Sequence, residues 1–164
     1  MLLHQLLIDG VRRHPDKPAL RWVDRDMTLT YAQSVEAVED FAGALHSLGV
    51  KPGDRVTIVA HNGMDYVVGM FACWRIGAIA ALPNVKFADE LDYYFQDHAP
   101  KVVVYTHDLM DPIHAAAGLC KSIKTLVCMD GIQPGAESLP ALLKEKHQAP
   151  PDPADEHAIA HLSY

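Results

Sequence analysis

Several familiar signals are missing from these 164 residues. There is no C-x-x-C pair, and the three cysteines, Cys73, Cys120 and Cys128, stand far apart in apolar surroundings. That spacing argues against a disulfide framework or a zinc site and fits a reducing, cytoplasmic setting. Basic clusters are absent beyond Arg12–Arg13, and the formal charge is −7, so no clustered basic face is available for nucleic acid. The amino terminus, MLLHQLLIDGVRRH, has no positive segment ahead of its apolar run, so it lacks the layout of a secretory signal. The longest apolar stretch, residues 67–83, is interrupted by Arg75 and is too short for a membrane span. No G-x-G-x-x-G, no G-x-x-x-x-G-K-[ST] and no G-x-S-x-G occurs, which removes the common phosphate-binding and hydrolase signatures.

What remains is an ordinary globular composition, 49% apolar and 21% charged, with enough chain for one well-filled domain. Leu2, Leu3, Leu6, Leu7 and Val11 recur at helical spacing, so the chain opens on an amphipathic helix. ALRWVD and MTLT, parted by Arg25–Asp26, predict a small hairpin. Thr30 and Gln33 are placed for a capping box, behind which Val35, Val38, Ala42, Leu45 and Leu48 form one stripe that Gly49 ends.

The rhythm then changes. RVTIVA (55–60) is a β-branched run of the kind covered on both faces. Asn62 is placed as the N-cap of a buried helix over 64–76, with Asp65 in its first turn and Gly77 at its end. Strands at AIAAL, 101–105 and 125–129 alternate with helices over 89–98 and after Asp111–Pro112, the last two read as N-cap and N1. This alternation predicts an α/β fold, a largely parallel sheet flanked by helices. Residues 131–156 hold Pro134, Pro140, Pro150, Pro151 and Pro153 and read as surface connection with a helical piece over 139–145. HAIAHLSY (157–164) reads as a strand directed into a core.

Reactive constellations are few. His157 and His161 share a face and lie near Asp155 and Glu156, a conceivable metal set, but H-E-x-x-H is not formed and the better reading is two polar histidines at a strand margin. Cys73 sits in the most apolar helix, where burial blunts a thiol. Asp89, Glu90 and Asp92 open a helix and suit its dipole better than paired acid–base work. No catalytic residue and no metal ligand is assigned.

LRWVDRDMTLTYAQ, the long segment FAGALHSLGVKPGDRVTIVAHNGMDYVVGMFACWRIGAIAALPN and ELDYYFQDHAPKVVVY together resemble the opening of AMP-forming acyl-CoA synthetases, in order and spacing. The wider adenylate-forming superfamily also includes the adenylation domains of peptide synthetases and the luciferases. The resemblance implies that this is the front part of the large amino-terminal domain: an α/β portion over 1–130, the proline-rich connection over 131–156 and a strand over 157–164. It also implies that a Thr/Ser/Gly-rich loop, T-S-G-T-T-G-x-P-K-G, comes next in the whole enzyme and holds the ATP phosphates. On this expectation the 164 residues alone are inactive.

The implied reaction has two steps. A carboxylate attacks the α-phosphate of ATP, with Mg²⁺ and basic groups offsetting charge, to give an acyl-adenylate and pyrophosphate; a thiol, usually that of coenzyme A, then displaces AMP. In some members a basic residue shortly after an Asn reaches the nucleotide end of coenzyme A. The matching stretch here, Pro83-Asn84-Val85-Lys86, departs from the commoner Asn-Pro-Arg form and makes Lys86 a candidate CoA-phosphate contact, the alternative being a solvated loop lysine. The partner is expected to be a small carboxylic acid. Transfer to a carrier-protein thiol and a non-catalytic binding module are the rival readings. An exposed strand edge would also favour self-association.

Overall fold

The computed structural model describes residues 2–153 and 155–164. Helix α1 (Gln5–Arg13) leads into an antiparallel hairpin of β1 (Pro18–Trp22) and β2 (Met27–Thr30), which stands apart as a two-stranded sheet. The turn that joins them is a short 3-10 helix (Val23–Arg25) closed by Asp26 at φ +48°. Helix α2 (Tyr31–Ser47) starts at the expected capping box: the Gln33 N–H donates to Thr30 Oγ1 at 3.2 Å, and Gln33 Oε1 accepts from the Thr30 N–H at 2.9 Å. Two backbone donors that the first turn cannot satisfy are thereby paired. At the other end Gly49 takes φ +80°, and the Val50 N–H reaches back to the Leu45 carbonyl at 3.1 Å. This Schellman arrangement needs a left-handed residue, which glycine adopts without a Cβ penalty.

Strand β3 (Arg55–Val59) begins the main sheet, followed by α3 (Met64–Arg75), β4 (Ile79–Leu82), α4 (Leu91–His98), β5 (Val102–Tyr105), α5 (Met110–Ala117) and β6 (Thr125–Cys128). The chain closes with β7 (Glu137–Ser138), α6 (Leu139–Lys144) and β8 (His161–Ser163). The sheet is six-stranded, ordered β7-β6-β5-β3-β4-β8, and every pair in it is parallel.

Alternation along the central strands sorts the core into two layers. Val56 and Ile58 of β3, with Val102 and Val104 of β5, pack beneath α2 and α3 against Phe41, Leu45, Val68 and Ala72. Val59, Val103 and Tyr105 point the other way, to Leu91 and Phe95 of α4 and Ile113 of α5. A strand covered on both faces has little polar surface to show, which is why β-branched residues dominate these runs.

Three expected boundaries are corrected. Gly63, not Asn62, is the N-cap of α3, and no side chain caps this end. Helix α5 starts at Met110 after a 3-10 turn over His107–Leu109, so Leu109 takes the N-cap position expected of Asp111, and Asp111 and Pro112 lie inside the first turn. Most of HAIAHLSY is not strand: pairing is confined to His161–Ser163, with His161 and Ser163 exposed and Ile159 63% accessible. The segment borders the sheet and does not enter its core.

The proline-rich connection is anchored where it crosses the α2/α3 layer. Arg75, only 12% exposed, pairs with Glu39 at 2.6 Å and Asp152 at 3.0 Å and donates to the Pro150 carbonyl at 2.9 Å. No helix among the described residues is long and apolar enough to cross a membrane.

Candidate functional site

All strands of the main sheet point the same way, so the segments leaving β3, β4 and β8 emerge at one edge. They enclose a cavity of about 600 Å³. From β3 come Ala60, His61 and Asn62; from β4, Pro83, Asn84, Val85 and Lys86; from β8, Ser163 and Tyr164. Tyr66 of α3 adds a phenol that burial keeps protonated, raising its pKa above the usual value.

The loop after β4 has internal order. Asn84 Oδ1 accepts from the Lys86 N–H at 3.0 Å, and its carbonyl accepts from the Phe87 N–H at 2.9 Å. This side-chain-closed turn starts a 3-10 segment (Val85–Glu90) and presents Lys86 at the cavity. Lys86 is exposed and has no ion-pair partner among the described residues. Among the described residues no Asp or Glu side chain lines the cavity, although the chain carries a net −7. The lining is therefore suited to an anionic or strongly hydrogen-bonding ligand.

Beside the cavity two histidine–aspartate pairs join neighbouring loops. His61 Nε2 lies 2.8 Å from Asp108 Oδ2, linking the ends of β3 and β5. Burial opposes ionisation of Asp108, but the hydrogen bond with His61 holds its carboxyl below the usual range. Asp130, after β6, accepts from the His107 N–H at 2.7 Å and pairs with its Nδ1 at 2.6 Å. The hydrogen bond to Asp130 raises the His107 pKa. These pairs were not legible in the sequence, because they depend on β5 lying next to β3 and on β6 lying next to β5.

The other sequence candidates do not assemble a site. His157 lies in an exposed turn outside β8, and no group of three or more His, Cys, Asp or Glu among the described residues can hold a metal ion. Cys73 is fully buried, and that burial pushes its thiol up to about 12, which leaves it inert at neutral pH. Of the carboxylates near α4, Asp92 stands in the first turn, while Asp89 and Glu90 belong to the preceding 3-10 segment.

An open parallel sheet with a cavity beyond the carboxyl ends of its strands defines a class, the α/β proteins that receive ligands at that edge. Within the class, the family model of AMP-binding enzymes matches residues 8–164, and the chain belongs to that family. It is 40% identical over 92 residues to a salicyl-AMP ligase / salicyl-S-ArCP synthetase of Mycobacterium tuberculosis, covering 53% of this chain and 16% of that protein. It is 33% identical over 90 residues to a feruloyl-CoA synthase of an Amycolatopsis species, covering 54% of this chain and 18% of that protein. Among solved structures it superposes on a fatty acyl CoA synthetase of M. tuberculosis with a TM-score of 0.85 and 23% identity, over 98% of this chain and 32% of the other. The chain thus spans less than a fifth of those two ligases' sequences and about a third of the solved one.

Proposed function

We propose that this chain forms part of an AMP-forming acid–thiol ligase and that its cavity receives the nucleotide end of coenzyme A, with Lys86 facing the ribose 3′-phosphate. The observation that carries the reading is a lysine with no ion-pair partner among the described residues, at a cavity lined by none of their Asp or Glu side chains. A lysine ammonium is a compact point charge with three donors, suited to a phosphate that reaches it from solvent. The fixed Asn84–Lys86 turn lowers the ordering cost of that contact.

Membership of the AMP-binding family implies use of ATP and activation of a small carboxylic acid. In the proposed reaction a carboxylate oxygen bonds to the α-phosphorus as pyrophosphate leaves, and a thiolate then attacks the acyl carbon as AMP leaves. We assign neither step to a residue of this chain, and no residue here is assigned to Mg²⁺.

The rival within the family, transfer to a carrier-protein thiol, is favoured by the name of the salicyl-S-ArCP relative. One titration separates the two. Coenzyme A and dephospho-coenzyme A differ by a single phosphate, so calorimetry at low salt reads the Lys86 contact directly. The expected result is about five- to tenfold tighter binding of coenzyme A, with the difference abolished in Lys86→Ala. Equal binding of both ligands by the native chain, or a Lys86→Ala chain that keeps the difference, would sink the CoA reading and leave the carrier-protein one.

A further inference from the structure

Tyr164, which lines the cavity, is held by a chain of polar side chains that runs into the core. Its hydroxyl lies 2.7 Å from Asp97 Oδ2 and 3.0 Å from His98 Nδ1, and His98 Nε2 lies 2.6 Å from Thr57 Oγ1. His98 and Thr57 are buried, at 6% and 0% exposure. Burial, reinforced by the Arg55 charge against partial compensation by Asp97, lowers the His98 pKa to about 4, so the ring is neutral at pH 7.

With a neutral ring the proton positions follow. The Asp97 carboxylate only accepts, so the Tyr164 hydroxyl donates to it and must accept from His98. Nδ1 therefore carries the proton, and Nε2 accepts from the Thr57 hydroxyl. The order is Thr57 to His98 to Tyr164 to Asp97, with no donor facing a donor. On the other face of the sheet, Trp74 Nε1–H donates to the Ala160 carbonyl at 2.9 Å, immediately before β8.

Strand β8 is short, pairs among the described residues with β4 alone and is mostly exposed, so its own ladder holds it weakly. We infer that Tyr164 is the latch of the cavity and His98 a positioning residue that acts through it: together they hold β8 and the cavity wall against α4. The part of this inference that concerns ligand binding rests on the CoA reading above; the part that concerns β8 does not.

Amide hydrogen exchange on the 164-residue chain tests it, using substitutions that separate the two ring nitrogens. Tyr164→Phe keeps the ring beside Tyr94, whose centroid is 4.7 Å away, and removes only the hydroxyl. His98→Asn places an amide N–H near the position of Nδ1 and keeps the donor to Tyr164; His98→Gln places its amide near Nε2 and loses that donor. The expected result is about tenfold faster exchange of the β8 amides in Tyr164→Phe and His98→Gln, near-native exchange in His98→Asn, and unchanged β5 amides in all three. A merely space-filling histidine would be replaced better by the larger Gln. Native β8 exchange in Tyr164→Phe, or Asn tolerated worse than Gln, overturns the latch. Coenzyme A titrations of the same variants should follow the same order. If β8 loosens while Lys86→Ala has no effect on coenzyme A, the latch stands and the CoA reading falls.

Discussion

Gly43, midway along α2, lies directly against the carbonyl of His147. A Cβ built at this glycine would collide with that oxygen, which belongs to backbone and cannot swing aside as a side chain would. Gly43→Ala should therefore destabilise the chain by roughly 1–3 kcal/mol, despite alanine's higher helix propensity. Urea unfolding followed by circular dichroism would show the loss, and a Gly43→Ala chain as stable as the native one would refute the close packing of the connection on α2.

Arg75 should matter for the same connection. Replacing it with Met keeps the stem and removes the three contacts to Glu39, Asp152 and the Pro150 carbonyl. Because both carboxylates are partly exposed, the expected cost is modest, about 1–2 kcal/mol. The clearer sign is limited proteolysis: new cleavage should fall between Ala149 and Glu156 before any cut in the sheet.

Asn84 tests whether Lys86 needs its turn. Asn84→Ala removes the acceptor for the Lys86 N–H without touching the ammonium. Coenzyme A affinity should fall about two- to fivefold in calorimetry while the folded core keeps its stability, since loosening the loop raises the ordering cost of binding. Unaltered affinity would mean that the turn does not orient the lysine.

Acid should weaken the fold through His98. Its folded pKa, about 4, lies below the ordinary 6.5, so the unfolded chain binds more protons between these values. The stabilisation is complete above pH 6.5 and is lost as pH falls toward 4, by about 2–3 kcal/mol. Asp97, Arg55 and Tyr164 all face this ring, so the comparison must be made against His98→Asn, in which the slope of stability with pH across that window should flatten.

Self-association is the remaining expectation. Strand β8 has one free edge among the described residues, with Ile159 exposed beside it. Light scattering should show a mass that rises with concentration, and a constant monomer mass at high concentration would count against it.

Much of the frame was readable because it is local. The capping box needed only Thr30 and Gln33, and the doubly covered strands declared themselves through unbroken β-branched runs. Caps that depend on chain path were less readable: Gly63 took the place expected of Asn62 because the backbone there is extended, with the Trp22 ring beside it. HAIAHLSY is apolar enough to read as a core strand, but its apolar residues do not alternate into the core, and Ile159 and Tyr164 are exposed. Of the candidate site, Lys86 came only from the family resemblance of residues 83–86, because a lone lysine after an Asn carries no signal of its own. The His61–Asp108 and Tyr164–His98 contacts were not visible, since sequence gives no sign of which distant strands become neighbours.

The pairing of β4 with β8 also bears on how the molecule assembles. Leu82 and Ser163 are partners although β5, β6 and β7 all lie between them in the chain. The β3–α3–β4 unit can form from nearby residues, whereas β8 must close a long loop before gaining any contact, which is an entropically slow step. The cavity is then the last part of the molecule to take shape during folding. A refolding experiment should see Trp74, whose indole reaches Ala160, report a slower phase than the backbone signal of the central sheet.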